Sequence, residues 1–204
     1  MIKKISWLTV LIILPLVLVL GCAKEYGKID QGRTIAFDKE KKTFTIVSDK
    51  NQDPKKPDYS ILPPHTYTLP TDEKQMGPEP KAGKRIKLDT KKNEIIIFDD
   101  ATQNFKVIPY KLIDQKENVK PKDELVFDTK EKKAKKFPVV NREKKTITIY
   151  SKRQGTLSTF SLPDEYFALP DSTWDAGDEM RIYYKEAGKA HRVMNITKTD
   201  IYKK

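Results

Sequence analysis

Few residues in this chain could do chemistry, and they are widely scattered. Cys22 is the only cysteine, which excludes disulfides and cysteine-based metal or redox centres. It closes the string Val19-Leu20-Gly21-Cys22 at the end of the apolar run Ile5–Leu20, behind Lys3 and Lys4. That layout is a secretory signal whose cleavage site is built for attaching lipid to the thiol. The two histidines, His65 and His191, stand more than 120 residues apart. Neither has a local Asp or Glu spacing that suggests a metal site. The serines, those of Phe160-Ser161-Leu162-Pro163 included, lack the Gly-x-Ser-x-Gly elbow. No Gly-x-Gly-x-x-Gly or Walker pattern is present to cradle phosphate. The acid pairs Asp99-Asp100 and Asp123-Glu124 fall in turns or at strand starts, and turn formation explains them better than acid/base catalysis. No catalytic residue, cofactor site or metal site is therefore expected, and Cys22 is the one residue assigned a modification.

The first 22 residues resemble the signal of bacterial lipoproteins. An apolar run of about 16 residues is short of the ~20 that span a bilayer as a helix, and Pro15 suits a transient segment better than a lasting helix. In that family the residue before the modified cysteine is small, here Gly21, and an aliphatic residue stands three before it, here Val19. Leu20 departs mildly from the pattern. The resemblance implies that Cys22 receives a diacylglyceryl thioether, becomes the mature N-terminus and is N-acylated. It also implies residence in the bacterial cell envelope. Ala23, in place of Asp after the cysteine, points to the periplasmic face of the outer membrane if the cell has two membranes.

Removing Met1–Gly21 takes away Lys3 and Lys4 and lowers the formal charge from +11 to +9, leaving 183 residues. Charged residues make up 34% and hydrophobic ones 37%, so the core is lean and suits small sheets better than a large α/β body. Residues 22–33 read as a polar, lipidated tether. Beyond them, alternation of β-branched and aromatic residues predicts strands throughout. Examples are Thr43–Val47, Glu94–Phe98, Glu124–Phe127, Thr146–Tyr150 and Arg192–Ile196. Short polar links such as Asp38–Lys42 and Asp89–Asn93 read as hairpin turns.

The chain also repeats itself. Phe37–Ser48 and Val140–Ser151 share seven of twelve residues. Thr66–Pro70 answers Tyr166–Pro170, and Ala82-Gly83 followed by Arg85–Leu88 answers Ala176-Gly177 followed by Met180–Tyr183. Matching blocks in one order mark duplicated supersecondary units. The expected fold is all-β: tandem small antiparallel barrels or curled sheets of OB-like or SH3-like type, with two clear repeats and a fainter third. The expected organisation is a signal peptide at 1–21, a tether at 22–33, repeats at 34–98 and 139–204, and a linking β-unit at 99–138.

The lipobox, the length and the duplicated Glu-Lys-Lys-Thr-x-Thr-Ile block, at residues 40–46 and 143–149, also resemble an uncharacterised family of bacterial lipoproteins. That family is defined only as a domain of unknown function, so the resemblance implies no mechanism. Function is then expected from the composition and the address: a non-enzymatic, lipid-anchored envelope protein whose β-repeats bind another envelope protein. The alternative is direct binding of anionic lipid or polysaccharide by the lysine clusters at 39–42, 81–92 and 130–136. Nucleic acid is not an expected partner, because the lysines are interleaved with acids instead of being gathered with aromatics on one face.

Overall fold

Local turn chemistry sets the architecture. A computed structural model describes residues 26–53 and 56–199; the signal segment and Cys22 lie outside them. Fourteen strands run through the described chain: β1 Lys28–Asp38, β2 Thr43–Ser48, β3 His65–Thr68, β4 Arg85–Asp89, β5 Glu94–Asp99, β6 Asn104–Pro109, β7 Lys111–Lys116, β8 Phe127–Asp128, β9 Lys133–Ala134, β10 Val139–Asn141, β11 Thr146–Ser151, β12 Thr156–Ser161, β13 Glu179–Tyr184 and β14 Ala190–Asn195. Three short 3-10 turns complete the regular structure.

Six of the hairpins close through the same four-residue loop. The fourth loop residue is left-handed in each: Lys42, Asn93, Gln103, Lys132, Lys145 and Gly155, with φ between 49° and 63°. In five of the six, the residue before the loop caps it. Asp38, Asp89, Asp99, Asp128 and Asn141 accept backbone N–H bonds of 2.8–3.1 Å from residues two or three further on. This Asx-capped loop carries much of the lysine-rich sequence.

The strands form an all-β fold of curled antiparallel sheets without a closed barrel. A five-stranded sheet has the order β14-β13-β1-β2-β3, a four-stranded sheet β10-β11-β12-β7, a three-stranded sheet β4-β5-β6, and β8-β9 a small ladder. The repeats at 34–98 and 139–204 are thus interleaved. The first repeat's β1–β3 take the last repeat's β13 and β14 as partners. The first repeat's β4 and β5 pack instead on the last repeat's β11 and β12: Leu88, Ile95 and Ile97 share one core with Ile147, Ile149, Phe160 and Trp174. A second core, around Phe44, Ile46, Met180 and Ile182, lies within the five-stranded sheet. A third joins Ile35 and Val47 to Ile86 and Phe98 across the sheets.

The exchange turns on Gly83 and Gly177, the glycines of the duplicated Ala-Gly blocks. They lie against one another, with an added Cβ on Gly83 falling 2.7 Å from the Gly177 nitrogen. Lys84 and Ala176 form an antiparallel bridge there. Counted from these glycines, Ile86 and Leu88 turn inward where Met180 and Ile182 do. The structural register is therefore one residue off the alignment expected from sequence, and it makes Arg85 the counterpart of Glu179.

Two segments differ from expectation. The stretch expected as tether contributes Lys28–Arg33 to β1, paired with β13. Its polar residues Asp30 and Gln31 are buried and hydrogen-bonded, so polarity there does not signal solvent. Glu124–Val126, expected as strand, forms turns stapled by N–H bonds to Asp123, and only Phe127 continues into β8.

Candidate functional site

Asp30, Ser48, His65 and Tyr67 come together on β1, β2 and β3, a constellation that resembles a catalytic triad by composition. Its geometry is different. One carboxylate oxygen, Asp30 Oδ2, accepts from Ser48 Oγ at 3.0 Å and from Tyr67 Oη at 2.7 Å, and it lies 2.7 Å from His65 Nδ1. Ser48 Oγ lies 3.1 Å from that same Nδ1. A triad needs serine and carboxylate on opposite ring nitrogens, so that the imidazole can relay a proton between them. Here both use one nitrogen, and Ser48 is 3% exposed. Burial and the bond to Asp30 push the Tyr67 hydroxyl well above the usual phenol range. The cluster satisfies a buried carboxylate and locks three strands.

His65 and His191 do not meet. They sit on β3 and β14, the outer strands of a five-stranded sheet that curls until the Thr68 N–H donates to the Gly188 carbonyl at 2.8 Å, and each has its own neighbours: Asp30 and Ser48 beside His65. His191 lies edge-on to Tyr183, with ring centroids 5.7 Å apart. Among the described residues no group of three His, Cys, Asp or Glu side chains is placed to hold a metal ion.

Many of the hairpin lysines are already engaged. Lys39 pairs with Glu79, Lys41 with Asp38, Lys87 with Asp89, Lys133 with Glu131, and Lys145 with Asp164. These pairs are exposed and individually weak, but they intersperse the positive charge with negative charge.

Two other features are unspent. The first is the segment β6–β7. Each is the outer strand of its sheet, and Tyr110 alone separates them. Of their twelve residues only Ile108 is buried. Val107 is 53% exposed, Leu112 38% and Ile113 55%. The second is a cleft of about 470 Å³ where the two repeats cross. Arg33 of β1, Arg85 of β4 and Arg153 of the β11–β12 loop line it, with Tyr59, Tyr150 and Glu179. Arg33 lies over the Tyr59 ring at 4.7 Å and donates from Nη1 to the Ile86 carbonyl at 2.8 Å. Arg85 donates from Nε to the Trp174 carbonyl at 2.9 Å. Burial, with Arg33 and Arg153 nearby, pulls the Arg85 guanidinium down to about 10, against the opposing pull of Asp175. Burial also raises the Glu179 carboxyl, partly offset by the 2.6 Å bond from Tyr59 Oη.

A family model described as a domain of unknown function, DUF4881, matches residues 25–204. The chain belongs to this family. Neither the curated proteins nor the solved structures yielded a match. The family model begins just after Cys22 and covers both repeats and the cleft, so the interleaved β-fold is the DUF4881 domain of this chain. Sequence reasoning marks Asn104–Ile108 of β6 as a strand but passes over β7 and the cleft. β7 reads Lys-Leu-Ile-Asp-Gln-Lys, with little alternation to mark it. The cleft's arginines are dispersed over about 120 residues and meet only because the repeats exchange hairpins.

Proposed function

We propose that this DUF4881 protein is a non-enzymatic, lipid-anchored protein of the bacterial envelope, held by Cys22, that binds another envelope protein along the outer edge of β6–β7. The observation that carries the reading is the exposure of Val107, Leu112 and Ile113 on outer strands with free backbone donors and acceptors. Such an edge accepts an added strand from a partner, the backbone supplying affinity and alternate side chains selectivity. Lys106, Lys111, Lys116 and Pro109 on the same strands oppose pairing of two copies, the usual protection of an exposed edge. An extended segment combining apolar and acidic residues fits both features.

The test is cross-linking in the native envelope from a photoreactive residue at position 112, introduced into the parent and into the doubly substituted V107K/I113K protein. The expected result is one protein captured in fixed stoichiometry, lost in the double variant while its circular dichroism is unchanged. Equal capture by both proteins, or recovery of lipid alone, refutes the reading.

A further inference from the structure

We propose that the cleft between the crossed repeats binds an acidic sugar, a pyranose bearing a carboxylate or phosphate, with Arg85 and Arg33 holding the oxyanion. This stands independently of the strand-edge reading, because the cleft is lined by β1, β4, β13 and the β11–β12 loop and involves neither β6 nor β7.

The guanidiniums are held in place and left unfinished. Each spends one N–H on a backbone carbonyl, Ile86 for Arg33 and Trp174 for Arg85. The Tyr59 ring, 4.7 Å from the guanidinium carbon, fixes the plane of Arg33. Among the described residues neither arginine has a carboxylate within ion-pair distance, whereas the nearby Asp175 is occupied by Lys81. Arg33 Nε is shielded and has no partner among the described residues, so an oxyanion is held by the remaining N–H groups of the two guanidiniums, in charge-assisted bonds. Lys152 and Arg153, on the exposed loop at the mouth, extend the positive field outward.

The rest of the lining argues for a sugar over a bare anion. Glu179, beside Arg33, repels an anion that has nothing else to offer, but its carboxylate accepts from a ligand hydroxyl. Ser151, Gln154 and Thr197 add polar contacts, while Phe137 and Tyr150, a tilted pair with centroids 6.0 Å apart, supply an apolar wall. A pyranose presents hydroxyls around its rim and C–H groups on its face, matching both. A volume of about 470 Å³ falls in the range of small-molecule sites and is more than inorganic phosphate fills.

The experiment is calorimetric titration of the full chain in mild detergent at low salt. The probes are glucuronate, glucose 6-phosphate, a glucuronate oligomer, glucose and inorganic phosphate. The variants are Arg85→Gln and, because Arg85 also anchors Trp174, the exposed loop variant Lys152→Glu. The expected result is binding of the acidic sugars and none of glucose. Affinity falls about ten- to hundredfold in Arg85→Gln, the loss of a charge-assisted contact, and falls in Lys152→Glu with the melting temperature unchanged. Tighter binding of the oligomer than of glucuronate supports the proposal with a polysaccharide end as the source, and the reverse supports it with a free sugar acid. Binding of inorganic phosphate as tightly as glucose 6-phosphate overturns it, as does undiminished binding by both folded variants or no binding of any acidic sugar.

Discussion

Substituting Gly177 by alanine tests whether the two repeats are held together at their glycines. A Cβ at Gly177 falls 1.7 Å from the Thr34 carbonyl oxygen, while real Cβ atoms essentially never come within 3.0 Å of another heavy atom. The backbones must therefore separate by about 1.3 Å. Three hydrogen bonds cross this point: Thr34 N–H to Asp178 O at 2.9 Å, Gly83 N–H to Thr34 O at 3.1 Å, and Arg85 N–H to Asp175 O at 3.0 Å. A shift of that size breaks or stretches them, at about 1 kcal/mol each. Overpacking of a tight interior adds roughly 1–3 kcal/mol. A destabilisation of about 4–6 kcal/mol follows, and at about 2–4 °C per kcal/mol for a chain of this size it lowers the melting temperature by ~10 °C or more. Gly77→Ala is the control, because its Cβ meets nothing closer than 3.1 Å, and it is expected to cost under about 1 kcal/mol. Thermal unfolding followed by circular dichroism measures both. A Gly177→Ala protein melting within ~3 °C of the parent would show that the interleaved topology is wrong there.

Lys145→Gly places the residue best suited to a left-handed φ at a loop position where lysine has φ of 50°; it is expected to stabilise the fold by up to ~1 kcal/mol, read from urea unfolding. Tyr67→Phe removes one of the donors converging on Asp30 Oδ2 and is expected to cost about 1–3 kcal/mol in the same assay. Glu179 carries a pH signature. Its folded pKa lies above the ordinary 4.5 because of burial, so the folded state resists ionising it, and stability falls as the pH rises through the interval from 4.5 to the folded value. Glu179→Gln is free of that penalty. The melting-temperature difference, variant minus parent, should therefore increase from pH 4 to pH 7, and a flat or opposite trend refutes the assignment. Cys22→Ser is expected to leave the protein unacylated and released from the membrane, as mass spectrometry and fractionation would show.

What was legible in the sequence was local. β2 and β11 are strands because Thr alternates with Ile and aromatic residues, β5 is a short β-branched and aromatic run, and the capped four-residue loops follow from an Asp or Asn ahead of lysine-rich connections. The duplicated blocks were equally visible, since both copies must make the same hairpin. Partner choice was not. A hairpin is specified by its own residues, but whether β13–β14 completes its own repeat or the other one depends on packing between distant segments. Two complementary copies offer the same surfaces either way. The distinguishing residues are small and silent: Gly83 and Gly177 permit the crossing because they have no side chain, and a pattern of hydrophobic alternation does not register them.

The same crossing explains why the candidate site escaped a linear reading. Equivalent positions in the two repeats have diverged in charge, Arg85 in one and Glu179 in the other, and the exchange brings both to a single cleft. Had the repeats folded as separate barrels, the two residues would face different solvents, each as an isolated surface charge. Interleaving turns a duplication into an asymmetric pocket. Lysine charge, by contrast, was conspicuous in the sequence because the hairpin loops recur, and those same loops bring acids along to cap and pair with it. The prominent basic signal is thus carried by turns that bring acids with it, whereas Arg33 and Arg85 reach one cleft only through the topology.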